Sequence, residues 1–509
     1  MAPLRTSAAS WVDKLSDACV VAGTPGAITA VCHDSRSVVP GALFVAVVGF
    51  EVDGHDFIGD ALARGATSVL VQRDHEADWG TIAAEGTFAV VSAPDTRRAL
   101  AQAAASFYDE PATKLGVIGV TGTDGKTTTV HLIAHLLDAS GRAAGYMSSV
   151  AFKSGPVLEA NASHMTTLES TEVQRFLAGM VDTGMRYAVI EASSHGLALR
   201  RVDDCAFDVA VFTTLSSDHL DFHGTLDEYR AAKGRLFQML DESPAKAGAA
   251  KTAILNADDP ASAYYRSLTG APTIAYGIES AADVRAEDIQ LEGWSTRFRL
   301  IAPSGAANAR VPLAGRFNVY NCLAAAATAL SQGLTLAEIV RALASFPGIQ
   351  GRLQRIEAGQ PFEVVVDIAS TPEALRRVLD TLRPLTEGKL VVVFGAAGER
   401  DPGRRDGMGR VAGELADFAV LTNEDPRRED PDAIIEAIAS GLREAGRDEE
   451  RDFARVPDRR EALRYAFARA RAGDTVLLAG KANEPSIVMG TAHHPWDEAA
   501  VATELLKER

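Results

Sequence analysis

Residues Lys114 to Ala139 read KLGVIGVTGTDGKTTTVHLIAHLLDA: an apolar run of strand character, a glycine-rich turn closing on Gly125-Lys126-Thr127, and a stretch of helical spacing. This combination predicts a triphosphate site. Gly122 and Gly125, with Thr123 and Asp124 between them, let the backbone curl its N–H groups around phosphate oxygens, and Lys126 neutralises the outer phosphates. The hydroxyl of Thr127, followed by Thr128, stands where a Mg2+ ligand is needed, and the helix start adds the positive end of its dipole. One position departs from the general phosphate-loop pattern. Val120 occupies a place where glycine is usual, and Gly119 comes one residue early.

Outward from this loop, strand-like and helix-like segments alternate, which predicts an α/β fold of parallel sheets covered by helices. Turn-forming residues after Ala-rich helices break the chain at Tyr108-Asp-Glu-Pro-Ala-Thr113 and at Phe346-Pro-Gly-Ile-Gln-Gly351. Three units result, 1–112, 113–346 and 347–509, as expected for 509 residues. In the middle unit, strand Tyr187–Ile190 ends in Glu191-Ala-Ser-Ser-His195. Strand Val209–Phe212 ends in Thr213-Thr-Leu-Ser-Ser-Asp218-His219, and strand Thr252–Leu255 in Asn256-Ala-Asp-Asp259. Open parallel sheets bind ligands beyond the carboxyl ends of their strands, so these clusters should converge on the phosphate loop. Each cluster taken singly is also readable as a polar loop capping the next helix.

Composition narrows the class. A net charge of -17 argues against a nucleic-acid scaffold, because phosphate backbones are held by basic faces. The segment MAPLRTSAAS lacks the apolar core of a signal peptide, and no run of about 18 apolar residues exists to span a bilayer, so a cytoplasmic protein is expected. Cys19, Cys32, Cys205 and Cys322 are widely separated and read as core thiols. The run Arg443 to Arg460 is dense in both signs and reads as a solvated helix face or loop.

A reacting triphosphate needs divalent metal to neutralise charge building on the transferred phosphoryl group. Thr127, Glu191 and His219 are sensible ligands, His219 acting through water or on a second ion. Lys233 lies four residues after Tyr229, three before Leu236 and four before Phe237, which places it on the apolar stripe of a helix over Leu226–Leu240. On spacing alone such a lysine either snorkels to water or sits buried as a neutral amine. A neutral amine near metal can capture carbon dioxide as a carbamate, which binds Mg2+ like a long carboxylate.

Taken together, Thr121-Gly-Thr-Asp-Gly-Lys-Thr127, Glu191-Ala-Ser-Ser-His-Gly196, Asp218-His-Leu-Asp-Phe-His-Gly224, Glu228-Tyr-Arg-Ala-Ala-Lys233, Gly315-Arg-Phe-Asn-Val-Tyr-Asn321 and Gly351-Arg352 resemble the Mur ligases. These are the ATP-dependent amino-acid ligases of peptidoglycan synthesis, and the likeness is to the branch that adds the third peptide residue. The resemblance covers essentially the whole chain. It implies a three-domain architecture with a central P-loop parallel sheet and a Rossmann-like C-terminal domain: 1–112 binding the UDP-muropeptide, 113–346 binding ATP, and 347–509 binding the incoming amino acid. It also implies an ADP-forming synthesis of an amide bond. The D-glutamate carboxylate of UDP-N-acetylmuramoyl-L-alanyl-D-glutamate attacks ATP to give an acyl phosphate, which meso-diaminopimelate, L-lysine or L-ornithine then displaces. No protein nucleophile is needed, so Ser193-Ser194-His195 is not a hydrolase triad.

By position, the resemblance assigns catalysis to Lys126, Lys233 and His219, and ATP binding to Gly122 through Thr128 with Asn318, Arg352 and Asp367. Ser35, Arg36, His55, Thr166, Thr167, Ser193 and Arg201 would hold the acceptor. Glu424, Asp425, Arg427, Gly480 and Glu484 would hold the amino acid. Thr127, Glu191, His219 and a carbamylated Lys233 would hold Mg2+ at two sites. A monomer without nucleic-acid or membrane partners is expected.

The carboxy-terminal unit departs from the family pattern. D-Y-A-H-T-P becomes Asp367-Ile368-Ala-Ser370-Thr-Pro372, G-K-G-H-E becomes Gly480-Lys-Ala482-Asn483-Glu484, and D-N-P-R becomes Glu424-Asp-Pro-Arg427. Arg427 keeps the fork that pairs with a carboxylate. Asp425 puts a negative charge where a neutral amide is usual. That charge favours a bare side-chain ammonium, as in lysine or ornithine, unless Asp425 caps the following helix. Two other readings remain: a Mur-type ligase with a folate-polyglutamate or cyanophycin acceptor, against which the Asp34-Ser-Arg36 segment argues, and a non-enzymatic nucleotide-binding relative.

Overall fold

The computed structural model of the protein describes residues 11–49, 52–75, 77–79, 88–161, 163, 165–216 and 220–509. Described residues within Met1–Asp288, Phe298–Ala309 and Phe317–Ala344 form one compact unit. Ile289–Arg297, Arg310–Arg316 and Ser345–Arg509 form the other.

The first unit holds two sheets. In the smaller, strands Val31–Cys32, Leu43–Val45, Ser68–Gln72 and Ala89–Ala93 run parallel in spatial order, and Cys19–Ala22 pairs antiparallel on the Ala89–Ala93 edge. The larger sheet centres on Gly116–Thr121, flanked by Tyr187–Glu191 and Val209–Phe212. Ala144–Met147 lies beyond the first of these, and Thr252–Asn256 and Thr273–Gly277 beyond the second, all six parallel. All six residues of Gly116–Thr121 are buried, as its apolar run demands of a parallel strand covered on both faces. Its register is pinned from outside the sheet: Asp208 Oδ2 accepts the Val117 backbone N–H at 2.8 Å and the buried Lys246 ammonium at 2.7 Å.

The second unit is a doubly wound sheet. Glu363–Asp367, Thr475–Ala479, Leu390–Phe394, Phe418–Leu421 and Phe453–Arg455 are parallel in that order, and Gln354–Arg355 is antiparallel at the edge. The α/β expectation holds in both units. The last helix, Glu498–Lys507, is fastened by an ion pair between Arg459 and Glu498, 2% and 0% exposed. Arg459 bonds both Glu498 oxygens at 2.9 and 2.7 Å and donates to the Ala479 carbonyl at 2.9 Å. Arg459 therefore corrects the reading of the Arg443–Arg460 run as wholly solvated. Cys19 is exposed rather than a core thiol, whereas Cys32, Cys205 and Cys322 are buried. No helix among the described residues is long and apolar enough to cross a membrane.

Candidate functional site

The strand Gly116–Thr121 delivers the chain into the glycine turn, and the helix Lys126–Ala139 leaves it. Gly122 and Gly125 have φ of +150° and +79°. A Cβ on Gly122 would overlap Thr213 Oγ1, and one on Gly125 would overlap Asn321 Oδ1, so both positions require glycine on two counts. Val120 stays inside the strand, fully buried. The departure from the general loop pattern is thus a strand that runs one residue longer before the turn.

The Lys126 ammonium lies along the loop, donating to the carbonyls of Gly122 at 3.1 Å and Thr123 at 2.8 Å. Thr127 Oγ1 sits 3.1 Å from both carboxylate oxygens of buried Glu191. The clusters at the strand ends do converge: Thr213 Oγ1 donates to the Asp124 carbonyl at 2.5 Å and Asn256 Nδ2 to the Thr213 carbonyl at 2.8 Å. Asp259 Oδ2 accepts the Leu215 N–H at 2.7 Å. Asn321 Oδ1 accepts from Thr129 at 3.3 Å, and Asn321 Nδ2 donates to Asn318 at 3.1 Å, which puts Asn318 and Asn321 beside the loop. Thr128 is half-buried on the same helix.

Lys233 points inward. It is 1% exposed, donates to the Gly122 carbonyl at 2.8 Å, and lies 4.2 Å from the centroid of the Tyr229 ring. Snorkelling is excluded, and the lysine touches the backbone of the phosphate loop itself. Ser217, Asp218 and His219 lie outside the described residues, so the expectations for His219 are carried by sequence alone. Ser149 went unread in the sequence. Its hydroxyl lies 2.9 Å from Thr127 Oγ1 and its N–H donates to Glu191 at 2.9 Å. The available signal was its place just beyond strand Ala144–Met147, the rule applied to the other strands.

Of the acceptor residues, Thr167, Ser193 and Arg201 come together. Thr167 Oγ1 donates to the Glu191 carbonyl at 2.8 Å and lies 3.0 Å from Ser193 Oγ, and Arg201 donates to the Thr167 carbonyl at 3.2 Å. Glu169 meets the Arg201 charge at 2.6 Å. Thr166 is half-buried next to Thr167. Ser35, Arg36 and His55 stand in turns beyond the adjacent parallel strands of the smaller sheet. Ser35 is buried, whereas Arg36 is exposed and clasps Asp34 in two contacts of 2.9 and 2.7 Å. That clasp pulls the Asp34 carboxyl down to about 2. Asp53, His55 and His75 bring possible metal-ligand atoms within 4.8 Å of one another. His55 Nε2, however, accepts the Gln72 N–H at 3.0 Å, which leaves the ring proton on Nδ1, 2.5 Å from Asp53 Oδ1. A metal would have to displace that proton, so the trio reads as a hydrogen-bonded brace.

In the second unit, the assigned residues line the carboxyl ends of the parallel strands. Asp367 ends its strand, and burial raises its carboxyl pKa, an effect the nearby Arg352 opposes. Its oxygens accept the Leu353 and Ala369 N–H groups at 2.8 and 2.9 Å. Gly480, with φ +99°, donates its N–H to the Asp367 carbonyl at 3.0 Å. Lys481 is fully buried, bonds Asp425 Oδ1 at 2.8 Å and pairs with Glu484. Asp425 also accepts the Val488 N–H at 2.8 Å. Asp425 does not cap the next helix, a role taken by Asp430, and its charge is met by Lys481 rather than presented bare. Burial, followed by the neighbouring Glu484, pushes Glu424 up to about 7. Arg427 adopts φ +54°, and its guanidinium makes no hydrogen bond among the described residues.

This arrangement defines a P-loop α/β protein, and comparison with known proteins defines its family. The Mur ligase family catalytic domain matches residues 27–108, the Mur ligase middle domain 120–329, and the Mur ligase glutamate ligase domain 351–482. A UDP-N-acetylmuramyl-tripeptide synthetase of Roseiflexus is 46% identical over 492 residues, covering 94% of this chain and 95% of the relative. A UDP-N-acetylmuramoyl-L-alanyl-D-glutamate--2,6-diaminopimelate ligase of Geobacillus kaustophilus is 42% identical over 487 residues, covering 95% of each. A solved structure of a ligase with that same activity is 30% identical, covers 96% of each chain, and superposes with a TM-score of 0.66. The chain belongs to the Mur ligase family.

Proposed function

We propose that this protein is the ATP-dependent ligase that joins the D-glutamate carboxylate of UDP-N-acetylmuramoyl-L-alanyl-D-glutamate to a diamino acid, releasing ADP and phosphate. The observation that carries this reading is the near-full-length identity to relatives so named, 46% and 42%. The acceptor carboxylate attacks the γ-phosphorus to form an acyl phosphate, the amine attacks that carbonyl, and phosphate leaves. Lys126 and the N–H groups at the helix start face the charge that builds on the phosphoryl oxygens. The Thr127 hydroxyl and Glu191 carboxylate are hard oxygen donors suited to Mg2+, which when bound neutralises phosphate charge. Lys233, as a carbamate, would add a further oxygen pair, with His219 completing the set. Thr167, Ser193 and Arg201 would orient the acceptor next to Glu191, with Ser35, Arg36 and His55 on its nucleotide end. By the family resemblance Asn318 would face adenine, Arg352 would contact a nucleotide phosphate and Asp367 the ribose. The expected setting is cytoplasmic, as a monomer.

For the amino acid, the fork of Arg427, without a hydrogen bond among the described residues, suits a carboxylate, and the Asp425 and Glu484 carboxylates, which outnumber Lys481, suit an ammonium. Because Lys481 meets Asp425, an end carrying both charges fits better than a bare ammonium, which favours meso-diaminopimelate over lysine or ornithine. A competition assay with all three diamino acids, the product read by mass, tests both levels. Phosphate release that ignores the muropeptide acceptor would refute the ligase reading, and preferential incorporation of lysine or ornithine would refute the choice of diaminopimelate.

A further inference from the structure

A polar cavity of about 330 Å³ opens in the first unit, between the helices Thr96–Phe107 and Leu226–Glu242. Ala112 and Thr113, which precede the amino end of Gly116–Thr121, and the 203–206 loop, which precedes the amino end of Val209–Phe212, line it. The phosphate loop leaves the opposite end of these strands. The six residues of Gly116–Thr121 put about 20 Å of strand between the two places. The cavity is therefore separate from the site described above.

Its charges do not cancel internally. Lys14 pairs with Glu110, and Arg235 pairs with Glu242. Asp203, 4% exposed, receives Arg200 at 3.1 Å and Arg235 at 3.9 Å on Oδ2, while its Oδ1 has no hydrogen-bond donor. Asp204 and Arg98 both line the cavity and form no ion pair with each other or with any other described residue. Asp204 keeps an exposed side chain, and the partial desolvation it meets on the cavity wall, with Asp203 beside it, pushes its carboxyl up to about 6. The backbone is held for this presentation, with Arg200, Asp204 and Ala206 all left-handed at φ of 56°, 59° and 47°. Ala105, Ala206 and Met239 supply an apolar wall. The volume equals about ten waters at ~30 Å³ each, at the small end of ligand pockets.

We propose that this cavity is a binding site for a free α-amino acid, its ammonium held by Asp204 and its carboxylate by Arg98. A purely anionic ligand would meet four lining carboxylates, and a bare cation would meet Lys14, Arg98 and Arg235, so only a ligand bearing both charges answers both unmet groups. The site does not depend on the ligase reading.

Calorimetric titration of the full chain with L-methionine and L-lysine tests it, with propionate and ethylamine as half-ligands. The background is Arg427→Ala, which disables the expected substrate site. Binding of an amino acid at a stoichiometry of one, with neither half-ligand binding at the same concentrations, is the expected result. Adding Asp204→Asn or Arg98→Ala should weaken it about tenfold or more, as loss of a charged hydrogen bond does. Both side chains are exposed, and asparagine tolerates the left-handed backbone at 204. Absence of binding by both amino acids, or binding that survives both substitutions, overturns the inference. Turnover of the parent chain, with Arg427 intact, measured in parallel keeps the two claims apart. An active ligase without such binding sinks this site alone, and an inactive chain whose binding depends on Asp204 leaves it standing.

Discussion

Replacing Glu424 by glutamine should stabilise the second unit at neutral pH and do little in mild acid. Glu424 is 5% exposed, its Oε2 receives no hydrogen bond, and burial with the neighbouring Glu484 carries its pKa from 4.5 to about 7. The unfolded chain loses this proton near 4.5 while the folded chain keeps it to about 7. The unfolded state therefore binds fewer protons across that window, and stability falls as pH rises through it. The gap between 4.5 and about 7, at about 1.4 kcal/mol per pH unit, corresponds to roughly 3 kcal/mol. Glutamine carries no charge to bury. Urea unfolding should thus show Glu424→Gln more stable than the parent by roughly 3 kcal/mol at pH 8 and by roughly 1 kcal/mol at pH 5. An equal gain at both pH values, or none at pH 8, would refute the reasoning, since it would mean that the carboxyl ionises normally in place.

Three further outcomes are expected. Lys233→Ala should fold yet lose turnover by about 100-fold or more, with partial rescue by short carboxylates in a steady-state assay; normal activity would defeat the carbamate reading. Gly125→Ala must hold a left-handed turn against Asn321, at about 1–2 kcal/mol from backbone strain alone. It should raise the KM for ATP about tenfold, and an unchanged KM would show that the loop relaxes freely. Asp208→Ala leaves the Lys246 ammonium buried without its carboxylate, and chemical denaturation should register a loss of about 3–5 kcal/mol; a loss near zero would mean that water replaces Asp208.

Most of the architecture was legible because it rests on local rules. A strand, a glycine turn and a helix in sequence announce a phosphate loop, and the helical spacing of Lys233 among Tyr229, Leu236 and Phe237 sends it inward. Spacing could not decide between a snorkelling and a buried lysine. That choice was settled by a tertiary partner 111 residues away, the Gly122 carbonyl. The same limit explains Asp425. Its neighbours in sequence suggest a helix cap, but the group that satisfies it, Lys481, is 56 residues distant. Arg459 sits among charges that are solvated, and only the return of the last helix buries it. Ser149 lay in plain view at a strand end and was passed over because serine there is chemically unremarkable until Thr127 and Glu191 are placed beside it.

The buried Arg459–Glu498 pair sets a boundary for anyone reshaping this protein. A chain cut ahead of Glu498 would strip Arg459 of the carboxylate it grips with two hydrogen bonds, leaving its guanidinium the Asn423 and Ala479 carbonyls. The tail from Glu498 onward is therefore part of the electrostatic closure of the second unit, and fusion partners or purification handles belong after Arg509 rather than in place of the last helix.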